Sequence, residues 1–507
     1  MRALTSSAFC NVRSAIVIAL LLVSVFVVLD SYTWRLLSVP WAYSKFTSSL
    51  TGVNDTRHHA RIVSPEEAEA AIAEATKEWQ RTLAKEPSPP DVEAENKVLP
   101  ETKNSRPAPA SYSPVRREAP KKPDAELTSL QKLEAGMSHA RAAIRSAVIH
   151  GLQEKDDLSP DVYLNATIFQ QSYREMEKRL KVFAYPEGEE PLVHNGPCKE
   201  IYAIEGRFIQ ELQGKNSYLT SDPEKAHLFF LPFSVAMMVT YLYTPGSHDM
   251  GPLGRFTRDY IDVISHRYSA WNRSRGADHF MVSCHDWGPH ISRAHPDLMA
   301  NSIRVLCNAN TSEGYVPSKD ASLPEIHLVG GQVPSVLGGP PPEERRYLAF
   351  FAGGDHGPVR PVLFKYWKEK DEDVRVFEKL PSRDAYLDYM SHSKYCLCPG
   401  GYEVNSPRIV EAIYNDCVPV VIADDFVLPF SDVLDWDAFS VKVLERDIPR
   451  LKTILQAIPT ARYLEMQARV SKVRRHFRFN QPPERYDVFN MILHSVWLRR
   501  LNMIIHE

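Results

Sequence analysis

The sequence predicts an α/β protein with two parallel β-sheets, because short apolar runs alternate with segments of helical periodicity. In the first half, the runs at 226–233 (AHLFFLPF), 279–284 and 302–307 have the length and composition of strands that are buried on both faces. The stretch 391–430 reads as strand, glycine-containing loop, helix and strand. The segment PSVLGGPPP at 334–342 separates the two sets of strands, so we expect the domain boundary there.

The remaining elements follow the same alternation along the chain. Strands are predicted at 181–185, 346–352 and 374–380, and helices at 205–212, 253–268, 361–370, 383–391 and 486–501. The last of these helices is predicted to be amphipathic.

The N-terminus carries a candidate membrane anchor at 15–29, which is apolar except for one serine. This run is shorter than the roughly 20 residues that span a bilayer, but Tyr32 and Trp34 could extend it into the interface. A cleaved signal peptide is the alternative, and no small-x-small cleavage site follows the run. We therefore expect residues 1–30 to be a cytosolic tail and signal anchor, although the balanced flanking charges leave the orientation open.

Residues 31–165 are predicted to be a stem. A capping box at 64–67 opens an Ala/Glu-rich helix, and the spacer 86–124 is rich in proline and charge, a composition that cannot bury enough apolar surface to fold. A second helical pattern at 125–153 either pairs with a partner stem or lies on the globular body.

The composition describes a globular chain without a charge signature for nucleic acid. The 507 residues are 44% hydrophobic and carry a net charge of −3, so no nucleic-acid partner is expected. The N-x-S/T sequons indicate a glycosylated body outside the cytosol. Their acceptors are Asn54, Asn165, Asn272 and Asn310.

The cysteines permit disulfides but do not specify them. Six of the seven follow the candidate anchor, and pairing cannot be deduced from spacing. Cys396 and Cys398 are one residue apart in a predicted strand, so they should point to opposite faces, which argues against a zinc site and a mutual bridge. Both are predicted to be buried thiols.

The helix that follows the glycine-containing loop is a candidate anion site. Ser406 can cap the helix, and its unpaired N–H groups together with Arg408 could hold a diphosphate. Glu411 lies three residues further on the same face, where a carboxylate could accept both hydroxyls of a ribose. The pattern therefore indicates a nucleotide site; the alternative is an Arg408–Glu411 ion pair on a solvated face.

The block that contains this helix resembles the donor-binding half of the exostosin-like glycosyltransferases, family 47. The motifs that carry the resemblance are CLCP, SPRIVEAI, CVPVVI and LPFSDVLDW, and the likeness extends over 181–501. It is most similar to the plant branch that builds pectin, xylogalacturonan and other wall polysaccharides. The resemblance implies a GT-B architecture, in which a Rossmann-like acceptor domain at 175–340 faces a Rossmann-like donor domain at 345–507 that ends in closing helices.

The resemblance also implies an inverting mechanism, a UDP-sugar donor and a single-pass type II protein of the Golgi membrane. Arginines of the family approach the diphosphate, and that role is carried to Arg360, which follows the loop GGDHGPVR. Gly353 and Gly354 would let the backbone approach the ligand, or form an ordinary tight turn.

No metal or other cofactor is expected. The two D-x-D matches, Asp371 with Asp373 and Asp435 with Asp437, do not stand at strand ends, so they are predicted to be solvated or structural carboxylates.

On the acceptor side, the motif HDW follows the strand that ends at Cys284, at the edge where α/β folds place reactive groups. Asp286 is predicted to be the catalytic base, His285 is the second candidate, and the ring of Trp287 could stack on a sugar. A structural aspartate that caps a turn is the alternative. His194 is a weaker candidate.

A basic cluster at 469–478 either holds an acidic acceptor such as galacturonan or forms a solvated face.

These observations predict an inverting glycosyltransferase that moves a sugar from a UDP-sugar to a plant cell-wall polysaccharide, pectin or hemicellulose, in the Golgi. The stem could bind other glycosyltransferases. The alternative is a non-catalytic scaffold that anchors another transferase. A nicotinamide-binding enzyme is disfavoured, because the loop CPGGYEVNS lacks the G-x-G-x-x-G spacing.

Overall fold

The computed structural model describes residues 127–152, 156–334 and 337–506. The candidate anchor, the helix predicted at 64–85, the spacer 86–124 and Asn54 lie outside the described residues. Within the described ranges, no helix has both the length and the apolar character needed to cross a membrane.

The first sheet has five parallel strands in sequential order, β1-β2-β3-β4-β5. The strands are β1 (Val182–Ala184), β2 (Leu228–Phe230), β3 (His279–Ser283), β4 (Ile303–Leu306) and β5 (Ala321–Ser322). The helices of this half are α1 (Ser129–His150), α2 (Ala166–Arg179), α3 (Ala203–Gln213), α4 (Val235–Leu242), α5 (Gly251–Arg267), α6 (Ser269–Ser274), α7 (Gly288–Ser292) and α8 (Pro296–Ala300).

The second sheet has five parallel strands in the order β10-β9-β8-β6-β7. The strands are β6 (Tyr347–Ala352), β7 (Val374–Phe377), β8 (Ser393–Pro399), β9 (Val418–Ile422) and β10 (Val441–Lys442). The helices are α9 (Val359–Trp367), α10 (Arg383–Ser391), α11 (Arg408–Tyr414), α12 (Leu451–Gln456), α13 (Thr460–Val473) and α14 (Val488–Leu501). The prediction of an α/β fold with two parallel sheets is confirmed.

The apolar run at 226–233 contains only a short strand. The prediction of a strand across 226–233 is too long, because ladder pairing is confined to β2. Pro232 has no N–H to donate, and Ser234 then caps α4 by accepting a hydrogen bond from Met237 N at 3.2 Å.

Helix α14 crosses back from the second half to the first sheet. It is buried on nearly all sides, so the prediction of an amphipathic helix is wrong. Its basic residues are buried because their guanidinium groups bind backbone carbonyls: Arg499 Nη2 donates to Asp320 O at 2.7 Å, and Arg500 Nε donates to His227 O at 2.9 Å. One hydrophobic core therefore continues through both halves of the molecule.

Helix α1 lies on the globular body. Met137 and Ala140 are fully buried, and Arg141 donates to Leu501 O and Met503 O at 2.7 Å each. Of the two arrangements that the sequence left open for this helix, the structure shows packing on the body.

Two disulfides fasten adjacent strands at their ends. Cys284 after β3 is joined to Cys307 after β4, and Cys396 in β8 is joined to Cys417 just before β9. The prediction of a buried thiol is confirmed for Cys398 and wrong for Cys396. Alternation along the strand points Cys396 to the opposite face, toward its partner.

The buried carboxylate of Glu205 in α3 joins the carboxyl ends of β2 and β3. Its Oε1 accepts hydrogen bonds from Cys284 N at 2.8 Å and His285 N at 2.9 Å, and its Oε2 accepts from Ser234 Oγ at 2.5 Å and Ala236 N at 3.0 Å. Burial raises the pKa of Glu205, and these hydrogen bonds act against the rise. The side chain therefore fixes the start of the two loops that leave the sheet.

We expect Glu205→Gln to lower the free energy of unfolding by about 2 kcal/mol, because the new amide N–H group faces donors that need an acceptor. Urea denaturation measures this loss. Glu224→Gln, at an exposed position, is the matched control and should change stability by less than about 0.5 kcal/mol. Equal stabilities of the two variants would contradict the bracing role of Glu205.

Candidate active site

The carboxyl ends of the two sheets meet at one cleft. Loops beyond β4 and β9 are hydrogen-bonded to each other, since Val427 N donates to Ala309 O at 3.0 Å and Thr311 N donates to Asp425 O at 3.1 Å. Parallel strands point to the same edge, so loops from both halves converge there.

Two arginines form one wall of this cleft. Arg408 Cζ lies 5.1 Å from the ring centroid of Phe351, and Arg360 Cζ lies 5.7 Å from the same ring. Arg408 donates through Nε and Nη2 to Ala352 O at 3.2 and 3.1 Å, and Arg360 Nη1 donates to Gly354 O at 3.1 Å. The strand end and the glycine loop thus hold both guanidinium groups in place.

The carboxylates nearest this arginine pair act on it at a distance and not by direct contact: Glu325 acts on Arg360, and Arg408 acts on Glu411. In the part of the chain that the structure describes, no carboxylate lies within ion-pair distance of Arg360 or Arg408. Arg360 Nε is buried without a hydrogen-bond partner. Burial, and then the charge of Arg408, lower the pKa of Arg360 to about 9. Two cations, Arg360 buried and Arg408 half-buried, without a carboxylate in direct contact make a site that favours an anion.

The glycines and serine of the predicted nucleotide site lie around this pair. A Cβ on Gly353 would overlap Arg408 Nη2, and one on Gly354 would lie 2.7 Å from His356 Nε2. Ser406 Oγ accepts from Arg408 N at 3.4 Å. Helix α11 begins at Arg408, so its N-cap is Pro407 and not Ser406, the cap that the sequence predicted.

A cavity of about 350 Å³ lies beside the arginine pair, and Glu411 lines it. Its side chain is 12% exposed, accepts from Tyr386 Oη at 2.6 Å, and lies 3.7 Å from His327 Nδ1 and 3.5 Å from Arg383 Nη2. Burial acts to raise the pKa of Glu411, but the hydrogen bonds from His327 and Tyr386 bring it below the usual range. The carboxylate is therefore ionised, and it does not form the solvated ion pair with Arg408 that was the alternative.

His285 lies in the loop after β3 but is a weak base. Its Nδ1 accepts from Trp287 N at 3.1 Å, and its ring lies 4.6 Å from that of Tyr202. Burial lowers the pKa of His285 to about 3, so the imidazole is neutral at physiological pH.

Asp286, which is half-buried, and the buried Glu325 form a pair of carboxyl groups on the first half's side of the cleft. Burial raises the pKa of Asp286, and hydrogen bonds with Asn405 and Tyr202 act against the rise. Glu325, 6% exposed, accepts from Asn405 Nδ2 at 2.7 Å. Burial and the charge of Asp286 raise the pKa of Glu325. Asn405, from the loop after β8, thus holds two carboxyl groups of the other half.

A second asparagine, Asn308, is hydrogen-bonded to two acidic side chains and to the backbone of Asp286. Asn308 Nδ2 donates to Glu403 Oε2 at 2.8 Å, to Glu313 Oε2 at 3.2 Å and to Asp286 O at 3.1 Å. Burial raises the pKa of Glu403 well above its usual range. Over the described ranges, no group of three or more His, Cys, Asp or Glu residues is arranged to hold a metal ion.

Sequence reasoning missed Glu325, Glu403 and Asn405. Glu325 is the one acidic residue of the largely apolar run ASLPEIHLV, which was a usable signal for a buried carboxyl group. Asn405 and Glu403 lie in the loop CPGGYEVNS, whose polar residues carry no spacing that identifies their partners.

Several other predicted candidates have structural partners. Asp371 and Asp373 both bind Lys452, at 2.8 Å. His194 Nδ1 lies 2.7 Å from Gln213 Nε2.

The basic cluster at 469–478 is tied to the body. Arg469 and Lys472 bind Asp161 at 2.9 and 3.1 Å, and Arg474 binds Asp416 at 3.0 Å. The cluster is therefore not a free cationic face of the kind that an acidic acceptor would need.

The sequons within the described residues differ in exposure. Asn165 and Asn272 are exposed. Asn310 is 8% exposed and pairs with Phe426 across the cleft, so a glycan on Asn310 is incompatible with this packing.

Known proteins resemble this chain over most of its length. The model of the exostosin GT47 domain matches residues 176–458, more than half of the chain. Two probable glycosyltransferases of Arabidopsis thaliana are 52% identical over 408 residues and 50% identical over 388 residues. These matches cover 80% and 75% of this chain, and 77% and 80% of the relatives.

A more distant match is a probable glucuronosyltransferase of Oryza sativa subsp. japonica. It is 29% identical over 348 residues, covering 63% of this chain and 81% of that protein. The family match spans both sheets, and the two closer relatives extend beyond it. The chain therefore belongs to the exostosin GT47 family of glycosyltransferases.

Proposed function

We propose that this glycosyltransferase moves a sugar from a UDP-sugar to a plant cell-wall polysaccharide, pectin or hemicellulose, with inversion at the anomeric carbon. The observation that carries the proposal is a pair of arginines, Arg360 buried and Arg408 half-buried, that stack on one phenylalanine ring and have no ion-pair partner in the described residues. Arg408 lines a cavity, and a hydrogen-bonded carboxyl pair lies across the cleft.

On the donor side, Arg360 and Arg408 neutralise the diphosphate as it leaves. A fixed guanidinium pair in a desolvated wall stabilises developing negative charge without reorganisation. The protein's own cations supply this charge, so we propose transfer without a bound metal ion. Glu411, already ionised, accepts the ribose hydroxyls.

On the acceptor side, Asp286 removes the proton of the attacking hydroxyl. The hydroxyl oxygen forms a bond to the anomeric carbon, the bond from that carbon to the phosphate oxygen breaks, and its electron pair leaves with UDP. Burial and the charge of Asp286 raise the pKa of Glu325 above that of Asp286, so Glu325 takes up a proton first and the carboxylate of Asp286 stays available as the base.

We also propose a luminal Golgi location, with residues 1–30 as a type II anchor and the stem as a place where other glycosyltransferases could bind. Two disulfides and the exposed sequon asparagines Asn165 and Asn272 support an oxidising secretory compartment.

A non-catalytic scaffold is the competing function. A scaffold would gain nothing from keeping these two arginines without an ion-pair partner, since a charge that is wholly or partly buried reduces stability when it has no such partner.

The proposal is tested by a screen of UDP-sugars with the purified chain and a polysaccharide panel, in the presence of EDTA. We expect turnover of one donor and a product of inverted anomeric configuration, read by NMR. Transfer that requires added metal would contradict the metal-independent mechanism, and UDP binding without turnover of any donor would favour the scaffold.

The diphosphate and the uridine part of UDP are expected to be bound by different residues. Arg360→Gln should lower the affinity for UDP by roughly 10- to 100-fold and leave that for uridine unchanged, because only the phosphates contact the cation. Glu411→Ala should lower both affinities by about tenfold. Isothermal titration calorimetry measures each.

The control for the lost charge is Arg346→Gln, at an exposed position. Arg360→Gln should melt no earlier than the parent, since it removes a buried charge that has no direct ion-pair partner. Unchanged UDP affinity in Arg360→Gln would remove this arginine from the site.

The acid limb of the pH–rate profile, where activity falls as the pH drops, should depend on Asn405. Activity requires an ionised base, so kcat/KM falls as the pH drops through the pKa of the carboxyl pair. Asn405→Ala removes a donor that favours the ionised form, so the limb should move by about 0.5 to 1 unit toward higher pH.

Asp286→Asn is the companion variant: it should lose transfer by at least about 100-fold and still bind UDP. An active Asp286→Asn, or an acid limb that stays in place in Asn405→Ala, would exclude Asp286 as the base.

A further inference from the structure

A second cavity, of about 480 Å³, lies on the first half between α5 and α7. Its size is within the range of ligand sites, roughly 300–1,000 Å³. Three arginines line it: Arg255 and Arg258 in the first turns of α5, and Arg293 just after α7. All three are exposed, and over the described ranges none of them lies within ion-pair distance of a carboxylate.

Two of these arginines are held in place by backbone contacts. Arg258 Nε donates to Ala294 O at 3.2 Å, and Arg293 Nη2 donates to Glu313 O at 2.9 Å. A guanidinium group that binds a carbonyl through one N–H retains other donors for a ligand. The cavity therefore presents several oriented positive groups to solvent.

The cavity is close to the proposed catalytic base along the chain and in space. Helix α7 begins two residues after Asp286, and α7 packs against α5. Glu313, whose carbonyl binds Arg293, accepts from the same Asn308 amide that donates to Asp286 O.

A row of aromatic rings connects the two places. Tyr202 lies 4.6 Å from His285, His285 lies 5.3 Å from Trp287, and Trp287 lies 4.9 Å from Tyr243, measured between ring centroids. Tyr243 is in the segment that leads into α5. Half-buried rings with polar edges are suited to pack against pyranose faces.

We propose that the cavity between α5 and α7, with the aromatic row beside it, is an acceptor subsite for a glycan that carries uronic-acid carboxylates. The inference rests on the proposed transfer function and specifies its acceptor. A planar guanidinium group matches a carboxylate, and the rings select a sugar chain over another acidic polymer. A carboxylate of a neighbouring residue of the glycan is anchored at the arginines while a hydroxyl of the acceptor residue reaches Asp286.

The test is binding of an oligogalacturonide of defined length to the full-length chain by isothermal titration calorimetry, beside a neutral β-linked oligosaccharide of equal length. We expect the acidic oligomer to bind more tightly and to weaken with added salt. The double variant Arg255→Gln/Arg258→Gln should lose about tenfold in this affinity, and Arg255→Gln alone roughly threefold.

The matched control is Arg145→Gln/Arg446→Gln, which removes the same charge from exposed positions elsewhere. Equal loss in the two double variants, or equal affinity of the parent for acidic and neutral oligomers, would overturn the assignment.

Hydrolysis of the UDP-sugar without acceptor separates this inference from the proposed function. It should be unchanged in Arg255→Gln/Arg258→Gln, because neither arginine belongs to the donor site. A parent chain that turns over no donor but binds the acidic oligomer through these arginines would refute the transfer proposal and support the subsite.

Discussion

The geometry of the cleft depends on the carboxylate of Glu205. Backbone N–H groups at the ends of two adjacent parallel strands have no ladder partners, and burial makes each unpaired donor costly. Glu205 accepts from those of Cys284 and His285 just after β3, and also from Ala236 N in the first turn of α4, the helix that follows β2. The loop that carries Asp286 therefore leaves the sheet in a fixed direction, which its own short sequence could not impose.

Whereas Glu205 stabilises the fold, the arginines on the donor side reduce its stability. Holding the buried Arg360 and the half-buried Arg408 on one phenylalanine ring, without a carboxylate in ion-pair contact, costs free energy in the absence of an anion. The rest of the fold offsets this cost through the continuous core, the two disulfides and the many buried backbone bonds. Local instability at a site held by a rigid scaffold is the expected sign of a group prepared for a charged ligand.

The sequence predicted best what is local. Ser406, Arg408 and Glu411 were found together because one loop and one helix bring them together. The α/β class and strand β9 followed from apolar runs of strand length. The limits of β2 did not, because pairing depends on Pro232 and on neighbours that only the fold supplies.

What the sequence could not predict is contact between distant residues. Asn405 and Glu325 are 80 positions apart and lie in different halves, and neither belongs to a spacing pattern. The sequence did not predict the burial of Arg499 and Arg500 either, because two charged residues near the end of a helix are usually exposed to solvent. The Cys396–Cys417 bridge was missed for the same reason, since spacing does not specify pairing.

The return of α14 to the first sheet has a consequence for biosynthesis. A nascent chain emerges in order, and the first five strands leave the ribosome long before α14 does. Until that helix is made, the surface of β4 and β5 that it covers is unprotected, as are the carbonyls that receive Arg499 and Arg500. The first half therefore cannot complete its packing before α14 has been synthesised. Until then, we expect chaperones to bind its uncovered surface.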